Sequence, residues 1–497
     1  SNILTYQTKI KKKHNLDLLA GYEINSKESD GLGTTISNFA RWDKPEVNNG
    51  VVYQSMGGSN STTRIVSYIT RANYDYDNKY YLGASWRTDG SSRLARENRW
   101  GNFWSLSGAW RVSSESFMKP LQNWLSDLKL RVSYGVNGTL PSSYYGYMGL
   151  SSLTSNYNDN PGITQSQLEN KELTWETNYN FNSGIDLGFF DNRLNVTFEY
   201  YVRTTKNLLY SRPLSLATGF SSYLANIGKL QNKGYELEIR STNIETKDFR
   251  WSTSLNLGHN ANKVLKLDGD LKQVTSGTSI HKVGLPYSTY YMIEFAGIDP
   301  VDGEPMFYKN TTDENGNLNK ETTKDPRSAE KVILQCADPT ITGGLGNSIS
   351  YKWFDLNFNV NFSFGAWNYD GAAGKLEHGG DGTLNIPIYY RKRWQKEGDE
   401  TSIERFVVGR SISMTDHATT RRLYSGDYVR LKNLTFGFTL PKTWTRKVGI
   451  DNIRLYASGN NLLTWAAYDY IDPESGSSPS WDTPPMRTYT FGLEVKF

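Results

Sequence analysis

The amino-acid sequence predicts an all-β fold, a transmembrane antiparallel β-barrel with about fifteen strands. Three observations predict it: long segments in which apolar and polar residues alternate, connections that are short and long in turn, and a composition rich in aromatic residues and glycine. The 497 residues include 33 Tyr, 20 Phe, 14 Trp and 44 Gly, with a net charge of only +4. This composition is typical of strands and turns. So balanced a charge provides no basic face for nucleic acid.

The alternation is clearest between Phe354 and Phe364, where Phe, Leu or Val occupies every second position and Asp, Asn or Ser the positions between. Most strands of soluble sandwiches are shorter, at about 5–6 residues. The pattern recurs in 194–203, 235–240 and 489–497. In a membrane barrel the apolar face contacts lipid and the polar face lines the lumen. The side chains expected to face lipid are Phe354, Leu356, Phe358, Val360, Phe362, Leu194, Val196, Phe198 and Val202.

The connections between these strands are expected to alternate in length. Short ones are expected at 11–14, 77–79, 190–193, 245–248 and 351–353, with two of medium length at 113–126 and 441–451. Long ones are expected at about 26–63, 90–100, 138–171, 208–230, 263–340, 368–426 and 465–485. Outer-membrane barrels combine short periplasmic turns with long extracellular loops. The connections of a soluble Greek-key sandwich are not expected to alternate between short and long in this way.

Few residues suggest catalysis or metal binding. The single cysteine, Cys336, excludes a disulfide framework and a thiolate zinc site. The glycine-rich segment 342–346 lacks the GxGxxG spacing and is expected to begin a strand. Separate predicted loops or strand ends hold His259, His281, His378 and His417. We therefore expect no enzyme activity, no metal and no cofactor, and no apolar run approaches the ~18 residues of a transmembrane helix.

Several ordered blocks carry a family resemblance. In the C-terminal half they are Gly297–Pro305, Asp427–Pro441, Ile453–Leu462, Asp472–Glu474 and the final Phe497. In the N-terminal half they are Ser91–Arg93, Asn98–Phe103, Ala109–Arg111, Glu115–Phe117 and Leu128–Gly135. Together they resemble the SusC/RagA family of TonB-dependent outer-membrane transporters. Ordered blocks over nearly the whole chain are more specific than one short motif.

The resemblance implies that residues 1–497 form the C-terminal portion of a barrel of about 22 strands, whose plug, TonB box and early strands precede Ser1. Because single-chain barrels close with an even number of strands, strands 3–10 and 489–497 are expected to pair with strands of that preceding segment. It further implies the outer membrane of a Gram-negative bacterium, energy from TonB, and a SusD-like surface lipoprotein as a lid. The implied function is oligosaccharide import. A peptide importer of the RagA type is the nearest alternative; a passive porin, a siderophore receptor and a soluble lectin or adhesin are others.

Aromatic residues in the long loop after Phe364 are the candidate substrate contacts, because aromatic rings stack on the apolar faces of sugars. The candidates are Trp367, Tyr369, Tyr389, Tyr390 and Trp394, with Arg391, Lys392 and Arg393 among them. Loop 138–171 offers Tyr144, Tyr145, Tyr147 and Tyr157. The alternative is that these rings pack the loops together, form an interfacial belt or contact the lid.

Overall fold

The computed structural model describes the chain except for positions 42, 159, 268, 270, 315, 381–384, 410–417 and 476–482. Its elements are mostly strands, as the alternation predicts. In chain order they are β1 (Asn2–Ile10), β2 (His14–Phe39), β3 (Gly50–Tyr76), β4 (Tyr80–Ser91), β5 (Trp100–Arg111), β6 (Leu125–Thr139), β7 (Leu150–Tyr157), β8 (Asn160–Gln167), β9 (Glu176–Phe189), β10 (Leu194–Lys206), β11 (Leu209–Pro213), β12 (Ser222–Asn226), β13 (Lys229–Glu245), β14 (Phe249–Lys266), β15 (Gln273–Ser276), β16 (Ser279–Lys282), β17 (Thr289–Ile293), β18 (Phe295–Ile298), β19 (Pro305–Tyr308), β20 (Thr322–Thr323), β21 (Lys331–Cys336), β22 (Ile341–Tyr351), β23 (Phe354–Phe364), β24 (Trp367–Tyr369), β25 (Leu423–Ser425), β26 (Tyr428–Thr439), β27 (Asn452–Ala466) and β28 (Thr488–Lys496).

Helical segments are short and lie between strands. Within the described residues two are α-helices, α1 (Gly371–Leu376) and α2 (Lys442–Thr445). The others are 3-10 turns at Val47–Asn49, Val112–Ser114, Ser116–Leu121, Leu216–Thr218, Pro326–Ser328, Ile388–Lys392, Thr420–Arg422, Arg446–Val448 and Pro473–Ser475. Among the described residues, no helix has the length and apolarity needed to cross a membrane.

In the part of the chain that the structure describes, one large sheet contains fifteen of the strands, in the order β1-β2-β3-β4-β5-β6-β9-β10-β13-β14-β22-β23-β26-β27-β28. Each strand therefore lies beside the strands that precede and follow it among these fifteen. Pairings such as β1–β2, β3–β4 and β22–β23 are antiparallel. The all-β prediction and the predicted count are confirmed.

The predicted short connections are confirmed. Residues 11–13 join β1 to β2, 77–79 join β3 to β4, and 352–353 join β22 to β23. Asp77 and Asn78 have positive φ angles, which Asn and Asp tolerate better than other non-glycine residues. The 77–79 turn can therefore reverse the chain without glycine.

The predicted long loops contain more strand than the sequence indicates. Segment 26–63 is largely an extension of β2 and β3, which stay paired up to Phe39↔Gly50, so their connection shrinks to 40–49. Strands of 26 and 27 residues exceed the ~9–11 that cross a bilayer. Smaller sheets fill other loops: β7–β8, β11–β12, β15–β16–β17–β21, β18–β19–β20 and β24–β25.

The chain divides into two compact units. Unit 1 comprises Ser1–Arg111, Arg131–Ser183 and Arg203–Leu230; unit 2 comprises Val112–Leu130, Gly184–Val202 and Gln231–Phe497. In unit 1, Leu94, Phe103, Leu173 and Trp175 form a buried cluster, with the Phe103 and Trp175 rings edge-on at 5.2 Å. In unit 2, buried clusters are formed by Val112, Met118 and Leu125, and by Ile293 and Phe307.

Many large apolar side chains of the main strands are exposed. Leu82 on β4 is 62% exposed, Leu106 on β5 57%, and Leu493 on β28 63%. A soluble protein rarely exposes so extensive an apolar surface. Exposed apolar side chains along alternating strands match a surface that faces lipid.

Candidate functional site

The predicted substrate contacts lie in the connection between β23 and β26. Trp367 and Tyr369 are on β24, which pairs with β25 through Trp367↔Ser425 and Tyr369↔Leu423. Tyr389 and Tyr390 lie on the 3-10 turn Ile388–Lys392, and Trp394 follows it. The segment therefore holds short structured elements between its aromatic residues.

Two glutamates anchor the turn that carries Tyr389 and Tyr390. The Tyr389 hydroxyl donates to Glu377 Oε1 at 2.6 Å, and the Tyr390 hydroxyl donates to Glu404 Oε1 at 2.8 Å. Arg421 donates to Glu404, and Arg422 Nε donates to Glu377 Oε2 at 3.1 Å. We call Glu377, Tyr389, Tyr390, Glu404, Arg421 and Arg422 the ion-pair cluster.

The ion-pair cluster lies largely out of water. The Tyr390 residue is 2% exposed, and the Arg421 side chain is 8% exposed. Burial and a neighbouring glutamate raise the pKa of both Tyr389 and Tyr390 well above the ordinary tyrosine value. Both hydroxyls are therefore protonated donors, the state that their carboxylate partners require. The buried Tyr390 ties the loop together through Glu404, whereas the half-buried Tyr389 reaches the surface.

A row of tyrosine rings continues from Tyr389. Tyr470 lies 5.4 Å from Tyr389 and 5.3 Å from Tyr468, measured between ring centroids, and Tyr468 stacks on Tyr424 at 3.4 Å. The Tyr468 hydroxyl donates to Asp370 Oδ2 at 3.3 Å. We call Tyr389, Tyr424, Tyr468 and Tyr470 the tyrosine row. Of these, only Tyr389 is among the residues predicted from the sequence, because the other three lie in segments distant from it along the chain.

Asp370 holds the start of α1 against this row. Its side chain accepts from Ala373 N at 2.7 Å, so it caps the helix, and its own backbone N donates to Arg422 O at 2.9 Å. Burial raises the pKa of Asp370 above the ordinary aspartate value, while the hydrogen bonds from Ala373 N and the Tyr468 hydroxyl oppose the rise. Burial likewise raises the pKa of Tyr369, which therefore stays protonated.

Trp394, in the predicted loop 368–426, contacts the predicted loop 263–340 instead of pointing into solvent. Its indole Nε1 donates to Pro300 O at 3.0 Å, and its ring covers Gly303, where an added Cβ would lie 2.5 Å from the indole. Arg405 Nε donates to Glu304 Oε1 at 2.6 Å beside it. Segment 297–305, one of the family-like blocks, is thus bound to segment 394–405.

A buried arginine fixes the segment after β27. Arg430 on β26 is 1% exposed, and its guanidinium donates to Asp472 Oδ2 at 2.6 Å and Glu474 Oε2 at 2.7 Å. Its Nε donates to Thr464 Oγ1 at 3.0 Å. These two charge-assisted bonds, one to each carboxylate, explain physically why Asp472 and Glu474 belong with the block containing Arg430.

Polar residues predicted to face the lumen meet in one cavity of unit 2. Its volume is about 960 Å³, and it is lined in part by Glu199, Glu236, Glu238, Arg240 and Asn361. These residues come from the polar positions of three alternating segments. Phe362, one of the side chains expected to face lipid, and Leu237 also line the cavity, so its walls draw on both faces of the alternating strands.

The aromatic residues of loop 138–171 make local contacts in unit 1. Tyr145 Oη accepts from Thr62 N at 2.9 Å, the Arg93 guanidinium lies 4.4 Å from the Tyr144 ring centroid, and Tyr147 packs against the buried cluster. The side chain of Tyr157 lies outside the described residues. These contacts are of the loop-packing kind.

Three histidines each bond to a nearby backbone group. The partners are Thr340 O for His259, Tyr287 O for His281 and Gly380 N for His378, while His417 lies outside the described residues. In the described part of the chain, no group of three or more His, Cys, Asp and Glu side chains could hold a metal.

Comparison with known proteins gives matches over most of the chain. The family profile described as TonB dependent receptor-like, beta-barrel matches residues 2–462. TonB-dependent receptor P3 of Formosa agariphila is 34% identical over 100% of this chain and 52% of its own length. TonB-dependent receptor SusC of Bacteroides thetaiotaomicron is 30% identical over 87% of this chain and 44% of its own length. The chain thus spans about half the length of these relatives.

Among solved structures, one described as the RagAB peptide transporter superposes with a TM-score of 0.85. Its sequence identity is 29%, and the match covers 100% of this chain and 55% of that chain. The same transporter in an open-open state gives a TM-score of 0.84.

Proposed function

Because the chain belongs to the TonB-dependent receptor-like β-barrel family, we propose that it forms part of a SusC-type importer that moves an oligosaccharide into the periplasm. As a member of this family the protein is an outer-membrane β-barrel. The observation that carries the proposal is the similarity to SusC over 87% of the chain. Import needs only reversible contacts, and the proposal includes no bond-making step.

The proposed substrate contacts are in the loop between β23 and β26. Tyr389 presents a half-buried ring to solvent, so it is the member proposed to touch substrate directly. Trp367, Tyr369, Tyr390 and Trp394 are proposed to hold the walls of that surface, as the buried Tyr390–Glu404 bond and the Trp394–Pro300 bond suggest. Precise placement of a few contacts by a rigid surround is how binding sites gain affinity.

The proposed partners follow from the family. A SusD-like surface lipoprotein would cover the extracellular mouth, and TonB would supply energy through a segment that this chain does not contain. The plug and the remaining barrel strands would likewise belong to that segment. Outer-membrane lipid would contact the apolar strand faces.

Native purification tests the proposal directly. The full-length protein, carrying a chromosomal affinity tag, should co-purify with a lipoprotein and with oligosaccharide, both identified by mass spectrometry. Uptake of that oligosaccharide should be lost when TonB is deleted. Uptake that persists without TonB would contradict active import and favour a passive porin.

The contribution of the loop is tested by substitution. The combined change Tyr389→Ala, Tyr390→Ala and Trp394→Ala should reduce uptake or lipoprotein capture at least about tenfold, because it removes aromatic contact and buried loop bonds. The matched control is Tyr210→Ala with Tyr223→Ala on β11 and β12. Wild-type uptake and capture in the triple variant would indicate that these side chains only pack the loop.

A peptide is the second candidate substrate. The observation that favours it is the TM-score of 0.85 with the RagAB peptide transporter over the whole chain. The same purification distinguishes the two, since a co-purified peptide mixture in place of a saccharide would favour peptide import.

A further inference from the structure

Tyr470 differs from the other members of the tyrosine row. It is 70% exposed, whereas Tyr389, Tyr424 and Tyr468 are half-buried. Its ring nevertheless has two aromatic neighbours, Tyr468 at 5.3 Å and Tyr389 at 5.4 Å, inclined by 59° and 57°. It is thus an exposed ring supported from two sides.

Both supports are themselves fixed. Tyr389 donates to Glu377, and Tyr468 donates to Asp370 while stacking on Tyr424 with an interplanar angle of 16°. Each neighbour of Tyr470 is therefore held by a polar bond at its far end. A ring braced in this way has little rotational freedom left to lose on binding.

The backbone next to Tyr470 is fixed as well. Asp472, two residues along, accepts from the buried guanidinium of Arg430, and Glu474 accepts from Arg430 and from Lys432 Nζ at 2.6 Å. Burial of an arginine is costly unless its partners are well placed. Here the partners are well placed, so the Arg430 ion pairs fix the backbone two residues from the exposed Tyr470 ring.

The charge around the ring indicates the class of ligand. Glu377, Glu404 and Asp472 are each paired with arginine, and Asp370 accepts two hydrogen bonds. Asp469, the residue before Tyr470, is exposed, so the surface presents an aromatic face beside a carboxylate that can accept hydrogen bonds. A ligand with a flat apolar face and hydroxyl donors fits it, and a pyranose ring has both.

We propose that Tyr470 is a stacking subsite for a pyranose ring of a neutral oligosaccharide, an inference that rests on the proposed function. The ring supplies the contact, Tyr389 and Tyr468 orient it, and Arg430 positions the segment that carries it. Arg430 acts through Asp472 and Glu474 and does not touch the ligand.

Binding to the purified full-length transporter tests this assignment. The probes are fluorescently labelled maltohexaose, cellohexaose, mannohexaose and xylohexaose, with labelled hexaalanine as the peptide probe, all measured by anisotropy. At least one saccharide should bind the wild type, and Tyr470→Ala should weaken it about tenfold. Tyr470→Phe keeps the ring face and should stay within about twofold of wild type. Tyr53→Ala, at a residue 77% exposed on β3, should have no effect.

Three results would overturn the subsite. They are unchanged saccharide binding by Tyr470→Ala, a loss with Tyr470→Phe as large as with Tyr470→Ala, and a wild type that binds hexaalanine but no saccharide. Outer-membrane abundance of each variant shows that it folds. TonB-dependent uptake by the wild type tests the proposed function separately, because binding in detergent needs no TonB.

Discussion

At the scale of single residues, the candidate site depends on the buried ion pair between Glu404 and Arg421. Burial raises the pKa of Glu404, but the charge of Arg421 and the hydrogen bonds to Arg421 and Tyr390 lower it further, so it lies below the ordinary glutamate value. Burial lowers the pKa of Arg421, yet Glu404 and Glu377 raise it above its ordinary value. Both groups are ionised at neutral pH, and removing Arg421 takes away the ion pair that Glu404 makes with it at a buried position.

Arg421→Gln should therefore loosen the loop between β23 and β26. Breaking one side of a buried pair typically costs about 3–5 kcal/mol. Limited proteolysis of whole cells should show new cleavage in segment 385–425 of the full-length protein. Arg391→Gln, at an exposed position of the same loop, is the control and should be cleaved like the wild type. Equal resistance of both variants would show that Glu404 does not need Arg421.

Acid should have a related effect. A glutamate whose folded pKa is depressed stabilises the fold above its unfolded pKa, about 4.3, and that stability is lost as pH falls through the lower folded pKa. Hydrogen exchange of peptides 386–394 and 418–425, corrected for intrinsic rates, should stay slow near neutral pH and accelerate only below that ordinary value. Glu404→Gln should flatten the profile, whereas Glu397→Gln, at an exposed position, should not. Acceleration already at pH 6 would point to a different titrating group.

At the scale of elements, β23 shows how one strand presents a polar face on one side and an apolar face on the other. Asn357 and Asn359 line a cavity of about 340 Å³, and Asn361 and Ser363 line the larger one. Phe354 lies on the alternate face and is 42% exposed. Polar side chains therefore share one face of the strand, as period-2 alternation requires.

This division gives a matched pair of substitutions. Val360→Arg places a charge on the lipid face, which near the bilayer midplane costs about 2–4 kcal/mol. Asn359→Arg places the same charge on the polar face and should cost little. Urea titration of the full-length barrel in detergent or lipid, read by heat-modifiable gel mobility, measures both. Similar midpoints for the two variants would contradict the assignment of faces.

At the scale of the whole molecule, strand number and turn positions could be predicted because a lipid-facing strand must alternate along its full length. The small sheets inside the loops could not, since short strands such as β24 and β25 carry no such pattern. Tyr389 could be found from local composition. Tyr424, Tyr468 and Tyr470 could not be joined to it, because their contacts form between segments distant in sequence.

Two of the long loops also depend on one another, and a glycine lies where they meet. Gly303 has φ +72° and lies directly beneath the Trp394 indole, while Gly316 has φ +85° and open space at the position of a Cβ. Alanine at either position adds similar backbone strain, of order 1 kcal/mol. Only Gly303→Ala also displaces Trp394 and its bond to Pro300.

Gly303→Ala should therefore separate segment 297–305 from segment 394–405, whereas Gly316→Ala should not. The measurement is cleavage within 394–405 by protease added to cells that express the full-length protein, together with the amount of co-purified lipoprotein. Both readouts should change in Gly303→Ala and stay near wild type in Gly316→Ala. Because the two variants share the same kind of backbone strain, a difference between them reports contact with Trp394. Equal behaviour would mean that the loops hold together without that contact.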